Sequence, residues 1–182
     1  MNFQDVMLDL ETLGTKRGCV VLSIGIVAFG PSGLGPEWYD VPDTQEQIDA
    51  GLHEDPDTVT WWQKQSAEAR KVFSEPRRPL GEVLTDTAAY LANVCGKTKL
   101  RVWGNGSDFD NPILADVYEA AGRKIPWLWY NNRCYRTLKG MDRSIKLERV
   151  GTHHNALGDA KSQAQHAVVL LNELGLWAKL RA

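Results

Sequence analysis

Apolar and polar positions alternate near the start of the chain and recur with helical spacing toward its end. Val6 to Gly14 reads as an apolar strand that carries Asp9 and Glu11 where a core would ordinarily take hydrophobic residues. Alternate strand residues share a face, so the two carboxylates project together. After the Lys16-Arg17-Gly18 turn, Cys19 to Phe29 reads as a second, antiparallel strand interrupted by Ser23 and Gly25. Pro31 to Pro36 reads as a loop, and Glu37 to Val41 as a short edge strand.

Helical patterns follow. Thr44 caps a short helix over Gln45 to Ala50, and Asp57 caps another over Thr58 to Gln65. Trp61 and Trp62 are adjacent and therefore face different ways, so one belongs to the core and the other is free to face substrate. Ser66 caps Ala67 to Phe73, and Arg77-Arg78-Pro79 is a linker. Leu80 to Cys95 is the clearest amphipathic helix, stopping at Gly96. Lys99 to Gly104 follows as a strand, and a strand, long helix and strand in that order favour an α/β domain with parallel pairing. The carboxyl end of that strand is where a site opens, and Asn105 lies there beside Phe109 and Asp110. Asn111-Pro112 reads as a helix start, with the helix running from Ile113 to Ala121. Trp127 to Tyr130 then reads as a strand and Cys134 to Leu138 as a short helix. Thr152 to Asp159 opens a last helix that ends at Leu174. Its small residues permit close approach to the sheet, which brings Asp159 toward the strand carboxylates.

A length of 182 residues suits a single domain, 1–182, with a sizeable core. No apolar run reaches membrane-spanning length and no signal-peptide pattern opens the chain, so the expectation is a cytoplasmic protein without membrane contact. Cys19, Cys95 and Cys134 are widely separated and favour neither a disulfide framework nor a zinc site. The formal charge of −2 speaks against bulk electrostatic binding of duplex nucleic acid. Its distribution changes the picture, because Lys16 and Arg17 are the only basic residues up to Thr60. Arg123 to Arg149 instead holds eight basic residues against Asp142 and Glu148. This segregation is that of a solvated helix face or of a basic rim beside an acidic centre.

Two carboxylates side by side resist burial unless a cation, a proton or water accompanies them. A hard divalent metal is the economical partner, and magnesium favours few carboxylates together with phosphate oxygens, which suggests phosphoryl chemistry. For Asp110 alone, helix capping is the simpler role.

Asp9-Leu10-Glu11-Thr12, Phe109-Asp110 and His154-Asn155-Ala156-Leu157-Gly158-Asp159 together resemble the three motifs of the DEDDh exonucleases, over a span of about Val6 to Leu174. Gly104-Asn105-Gly106, Val59 to Trp62 and Gly151-Thr152 with His154-Asn155-Ala156 are most similar to an exoribonuclease-like branch of bacteria and phages. The resemblance implies a ribonuclease H-like α/β fold, a mixed central sheet flanked by helices. It implies a 3′-to-5′ exonuclease releasing 5′-mononucleotides from single-stranded ends or 3′ overhangs of RNA or DNA. Asp9, Glu11, Asp110 and Asp159 are then ligands of two Mg2+ or Mn2+ ions, and His154 is the general base. Asp108 precedes Phe109 where the motif's aspartate follows it, His153 falls one position out of register, and Gly158 stands where an aspartate is common in this branch. Leu10, Thr12, Leu13, Phe109, Asn105 and Trp61 become candidates for contacting the terminal nucleotide, and Arg133 and Arg136 for upstream phosphates. A homodimer is compatible with the resemblance. The rival readings are a nuclease-inactive nucleic-acid-binding or scaffold domain, and an endonuclease or strand-transfer enzyme of the same fold. The complete motif set speaks against the first and the His154-to-Asp159 spacing against the second.

Overall fold

The computed structural model describes residues 3–94, 100–149 and 154–181. Its centre is β1 (Asp5–Thr12), every residue of which is buried. Val6, Leu8 and Leu10 face one layer of core, where they meet Ile24, Val83, Leu84, Ile113 and Val117. Met7 faces the opposite layer with Val27, Phe29, Trp103, Ala160 and Ala164. Asp9 and Glu11 share the face of Met7 by the same alternation. The carboxylates therefore look toward the C-terminal helices.

β2 (Val21–Gly30) and β3 (Gly33–Asp40) extend the sheet on one side. β4 (Arg101–Gly104) and β5 (Asn132–Cys134) extend it on the other. The order is β3-β2-β1-β4-β5. The first three strands are antiparallel, whereas β4 runs parallel to β1 and β5 parallel to β4. The mixed sheet agrees with the expectation drawn from the sequence. Helices α1 (Thr44–Asp49), α2 (Pro56–Gln63), α3 (Leu80–Val94) and α4 (Asp110–Ala120) follow in the chain. α5 (Tyr135–Met141), α6 (Ala156–Glu173) and α7 (Trp177–Arg181) complete it. No helix among the described residues is long and apolar enough to cross a membrane.

Several expected boundaries differ. β3 begins at Gly33, inside the stretch read as a loop, because Gly30↔Gly33 and Phe29↔Leu34 carry the hairpin pairing back to a tight turn. β2 starts at Val21, and Cys19 makes only an isolated bridge to His53. Asp43 rather than Thr44 caps α1, and Asp55 rather than Asp57 caps α2, with Pro56 at its first turn. Ser66 accepts from Ala69 N at 3.2 Å, but the helix there is a 3-10 one over Ala69–Phe73 whose cap position is Glu68. α4 begins at Asp110, one residue before the expected cap, because Asn111 donates its side-chain amide to Val102 O instead. Trp127 to Tyr130 is not a strand. Trp129–Asn131 forms a 3-10 turn, and the ladder to β4 starts only at Asn132. The helix expected over Cys134 to Leu138 is α5, with Cys134 as its cap. The expected ends at Cys95, Gly96 and Lys99, and the residues Gly151, Thr152 and His153, lie outside the described residues.

Candidate active site

A cleft of about 610 Å³ opens where the carboxyl ends of β1 and β4 meet the start of α6. β1 brings Asp9 and Glu11 to its floor. Gly25, directly opposite Asp9 on β2, leaves room for the backbone of Ala156 and Leu157, which a Cβ there would strike. That close approach seats the first turn of α6 on the sheet. Asn155 caps the helix by accepting from Gly158 N at 2.9 Å, and Asp159 is thereby presented to the strand. Carboxylate oxygens of Asp9, Glu11 and Asp159 lie within 4.8 Å of one another.

Asp110 belongs to the same acidic environment but not to that trio. Its Oδ1 accepts from Leu10 N at 3.2 Å and its Oδ2 from Asn105 N at 2.6 Å. Gly104 provides the space, since a Cβ there would press on Asn111 and Asp110. Burial first, and then the charges of Asp110, Glu11 and Asp159, raise the Asp9 carboxyl well above its ordinary value. Burial, followed by Asp159 and Asp110, pushes Glu11 up to about 8. Burial likewise lifts Asp110 to about 6 against the backbone donors that oppose it. Such a set keeps its charge only with a cation beside it and otherwise takes up protons. The donors are all hard oxygens, so they fit Mg2+ or Mn2+.

His154 stands at the lip of the cleft in the left-handed backbone region, with φ 59°. Its N–H donates to Asp159 Oδ2 at 3.0 Å. Its ring meets Trp61 edge-on with centroids 4.9 Å apart and lies 6.1 Å from Trp62. The tryptophan pair divides as the spacing required: Trp62 is 2% exposed and Trp61 41%. Trp62 Nε1 donates to Thr12 O at 2.8 Å, tying α2 to the end of β1.

Leu10, Thr12, Asn105, Phe109 and Trp61 all line the cleft. Leu13 is not among its lining residues; it is buried, and its N–H donates to Val20 O at 2.8 Å. Arg136 donates to Asn105 O at 2.7 Å beside the cleft, whereas Arg133 folds onto the carbonyls of Tyr130 and Asn132. Asp108 is exposed, away from the trio.

Other lining residues carry no motif that would announce them. Gln163, one turn beyond Asp159 on α6, donates to Asp9 Oδ1 at 2.6 Å. Helical spacing from Asp159 was the only available signal. Arg149 pairs with Asp159 Oδ1 at 2.7 Å, and Lys139 and Tyr135 also line the cleft. The Tyr135 hydroxyl lies 2.7 Å from His166 Nδ1, while His166 Nε2 lies 3.1 Å from Ile145 O. Since a carbonyl only accepts, His166 carries its proton on Nε2 and Tyr135 donates to Nδ1. This chain ties α5, α6 and the segment before Arg149 together.

The family model of the 3′-5′ exoribonuclease Rv2179c-like domain matches residues 4–171. The sequence is 26% identical over 129 residues to the exodeoxyribonuclease of Enterobacteria phage T4. That alignment covers 62% of this chain and 55% of the phage protein, so the chain spans about half the length of the curated relative that it matches. The nuclease domain of 3′hExo, a DEDDh family member solved bound to rAMP, superposes with a TM-score of 0.61 at 14% identity. That superposition covers 94% of this chain and 93% of the other. Exonuclease X, solved in complex with 5′ overhanging duplex DNA, gives 0.59 at 13% identity, covering 98% and 99%. The fold is therefore the ribonuclease H-like one of DEDDh nuclease domains.

Proposed function

Since the chain belongs to the family of 3′-5′ exoribonuclease Rv2179c-like domains, we propose that it is a divalent-metal-dependent 3′-to-5′ exonuclease. It removes 5′-mononucleotides from single-stranded 3′ ends or overhangs of RNA or DNA. The observation that carries this reading is the meeting of Asp9, Glu11 and Asp159 within 4.8 Å on the floor of one cleft. These three would hold two Mg2+ or Mn2+ ions together with Asp110. Bound there, the ions supply stabilisation of charge on the phosphodiester and water of lowered pKa.

The protein's own groups do the rest. An imidazole ordinarily titrates near pH ~6.5, so His154 at the lip takes the proton of the attacking water. The water oxygen bonds to phosphorus, the bond to the upstream 3′ oxygen breaks, and that oxygen takes a proton from solvent water while His154 returns the one it accepted to solvent. His154 is held for this by its N–H on Asp159 and by the edges of Trp61 and Trp62. Gln163 orients Asp9 by its amide. Leu10, Thr12, Asn105 and Phe109 bound the space for the terminal nucleotide, and the half-exposed Trp61 offers its ring to the base. Arg136, Lys139 and Arg149 supply positive charge near the phosphates.

Incubating 5′-labelled RNA and DNA single strands with Mg2+ or Mn2+ tests the reading. The expected result is a ladder of labelled strands that shorten from the 3′ end one nucleotide at a time, and comparison of the two strands gives the sugar preference. Internal cleavage, or no cleavage in either metal, would overturn it.

A further inference from the structure

The three most exposed large apolar side chains of the described residues are Trp129, Met141 and Tyr130, at 78%, 61% and 58%. Trp129 and Tyr130 are consecutive, and their rings meet edge-to-face with centroids 5.6 Å apart. Exposed indole and phenol rings in contact form a surface that water solvates poorly and that flat ligands cover well. They sit in the 3-10 turn that feeds directly into β5, the edge strand of the sheet. β5 runs parallel to β4 and ends level with Gly104, next to Asn105 in the cleft. Three strand residues at about 3.3 Å each separate the ring pair from the cleft rim, roughly 10 Å. At ~3.4 Å per stacked nucleotide that is a distance of about three nucleotides.

The intervening stretch is cationic. Arg133 is pinned beside the ring pair by its bonds to Tyr130 O and Asn132 O, at 3.1 and 2.9 Å. Arg136 is pinned at the cleft end by Asn105 O. Each guanidinium has five N–H donors, so donors remain for phosphate oxygens. The order along the edge is cleft, Arg136, Arg133, then Tyr130 and Trp129.

We propose that this edge is a docking track for the single-stranded part of a nucleic acid whose 3′ end lies in the cleft. The arginines contact its phosphates, and Trp129 and Tyr130 stack on bases about three nucleotides upstream. The proposal rests on the exonuclease reading for the direction of the strand. A self-associating face is the less fitting occupant, because the stretch from Trp127 to Met141 holds Arg133, Arg136 and Lys139 and no carboxylate to pair with them across a two-fold interface.

The test compares the wild-type protein with a Trp129→Ala/Tyr130→Ala variant on 5′-labelled octanucleotides and dinucleotides in Mg2+. Intrinsic fluorescence on titration with a phosphorothioate octanucleotide in chelator gives binding without turnover. The expected result is that the variant's ratio of kcat/KM, octanucleotide to dinucleotide, falls about tenfold or more. Its octanucleotide Kd rises by a similar factor, and Trp129→Phe/Tyr130→Phe recovers most of both. A wild-type protein that cleaves neither substrate, with the variant's octanucleotide Kd still raised, would sink the exonuclease reading and leave the track standing. Unchanged octanucleotide affinity would overturn the track. So would a wild-type dimer that the alanine variant converts to monomer with affinity retained.

Discussion

Asp9 has one neutral donor on its oxygen, Gln163 Nε2, against the charges of Asp110, Glu11 and Asp159. Asp9 is held near these carboxylates against their repulsion, so removing its charge should cost function and not stability. Asp9→Asn and Asp159→Asn are each expected to lower exonuclease turnover roughly 10³-fold or more. Asp9→Asn should at the same time raise the chelator-treated protein's Tm, which calorimetry checks; full activity in either variant would refute the ligand assignment. His154→Ala should lower turnover about 10²–10⁴-fold with Mg2+ affinity retained. Isothermal titration separates the roles, because lost metal affinity would make His154 a ligand.

Among the elements, α6 delivers Asp159 and Gln163 to the site and depends on a glycine in a strand. A methyl at Gly25 would meet the backbone of Ala156 and Leu157, neither of which has a side chain's freedom to move aside. Gly25→Ala is therefore expected to destabilise the protein by about 1–3 kcal/mol and to lower activity, as Asp159 retreats from β1. Denaturant midpoints and turnover check it, and a silent variant would show that α6 is seated otherwise. At the opposite end of β1, Asp5 accepts from Arg101 at 2.7 and 2.6 Å and from Trp103 Nε1 at 2.9 Å. Arg101 also donates to Leu180 O at 2.9 Å, which fastens α7 to the sheet. Asp5→Ala leaves a buried guanidinium without its carboxylate, and a loss of about 3–5 kcal/mol is expected in urea unfolding. Activity per folded molecule should be unaffected.

For the whole molecule, the raised carboxyls set a pH dependence of a definite sign. Glu11 moves from 4.5 to about 8 and Asp110 from 3.8 to about 6, with Asp9 raised as well. Between those values the folded protein keeps protons that the unfolded chain has lost, so this contribution to stability is complete at low pH and disappears as pH rises through the folded values. In chelator, Tm is expected to be lower at about pH 8 than at about pH 5. Saturating Mg2+ should narrow the difference, since a cation that binds only the folded site stabilises by mass action. A Tm that is flat with pH in chelator would contradict the acidic cluster. The alternation in β1, the amphipathic run of α3 and the residues Asp9, Glu11, Asp110, His154 and Asp159 are legible in the chain because each is a local pattern or a motif with set spacing. Helix caps fall a residue or two from where the sequence puts them, Asn111 giving its amide to Val102, and the strand expected over Trp127 to Tyr130 does not form, because the ladder begins only at Asn132, where β4 offers a partner. Gln163 on Asp9, 154 positions away, and Arg149 on Asp159 follow only from how α6 and its preceding segment pack. The sequence by itself determined which carboxylates share a strand face, through the period of two. Only the tertiary structure decided that Asp110 is engaged by Leu10 and Asn105, that Gln163 and Arg149 reach the carboxylates, and that Trp129 and Tyr130 stay in solvent. Those outcomes depend on long-range packing and backbone donors, which no local period encodes.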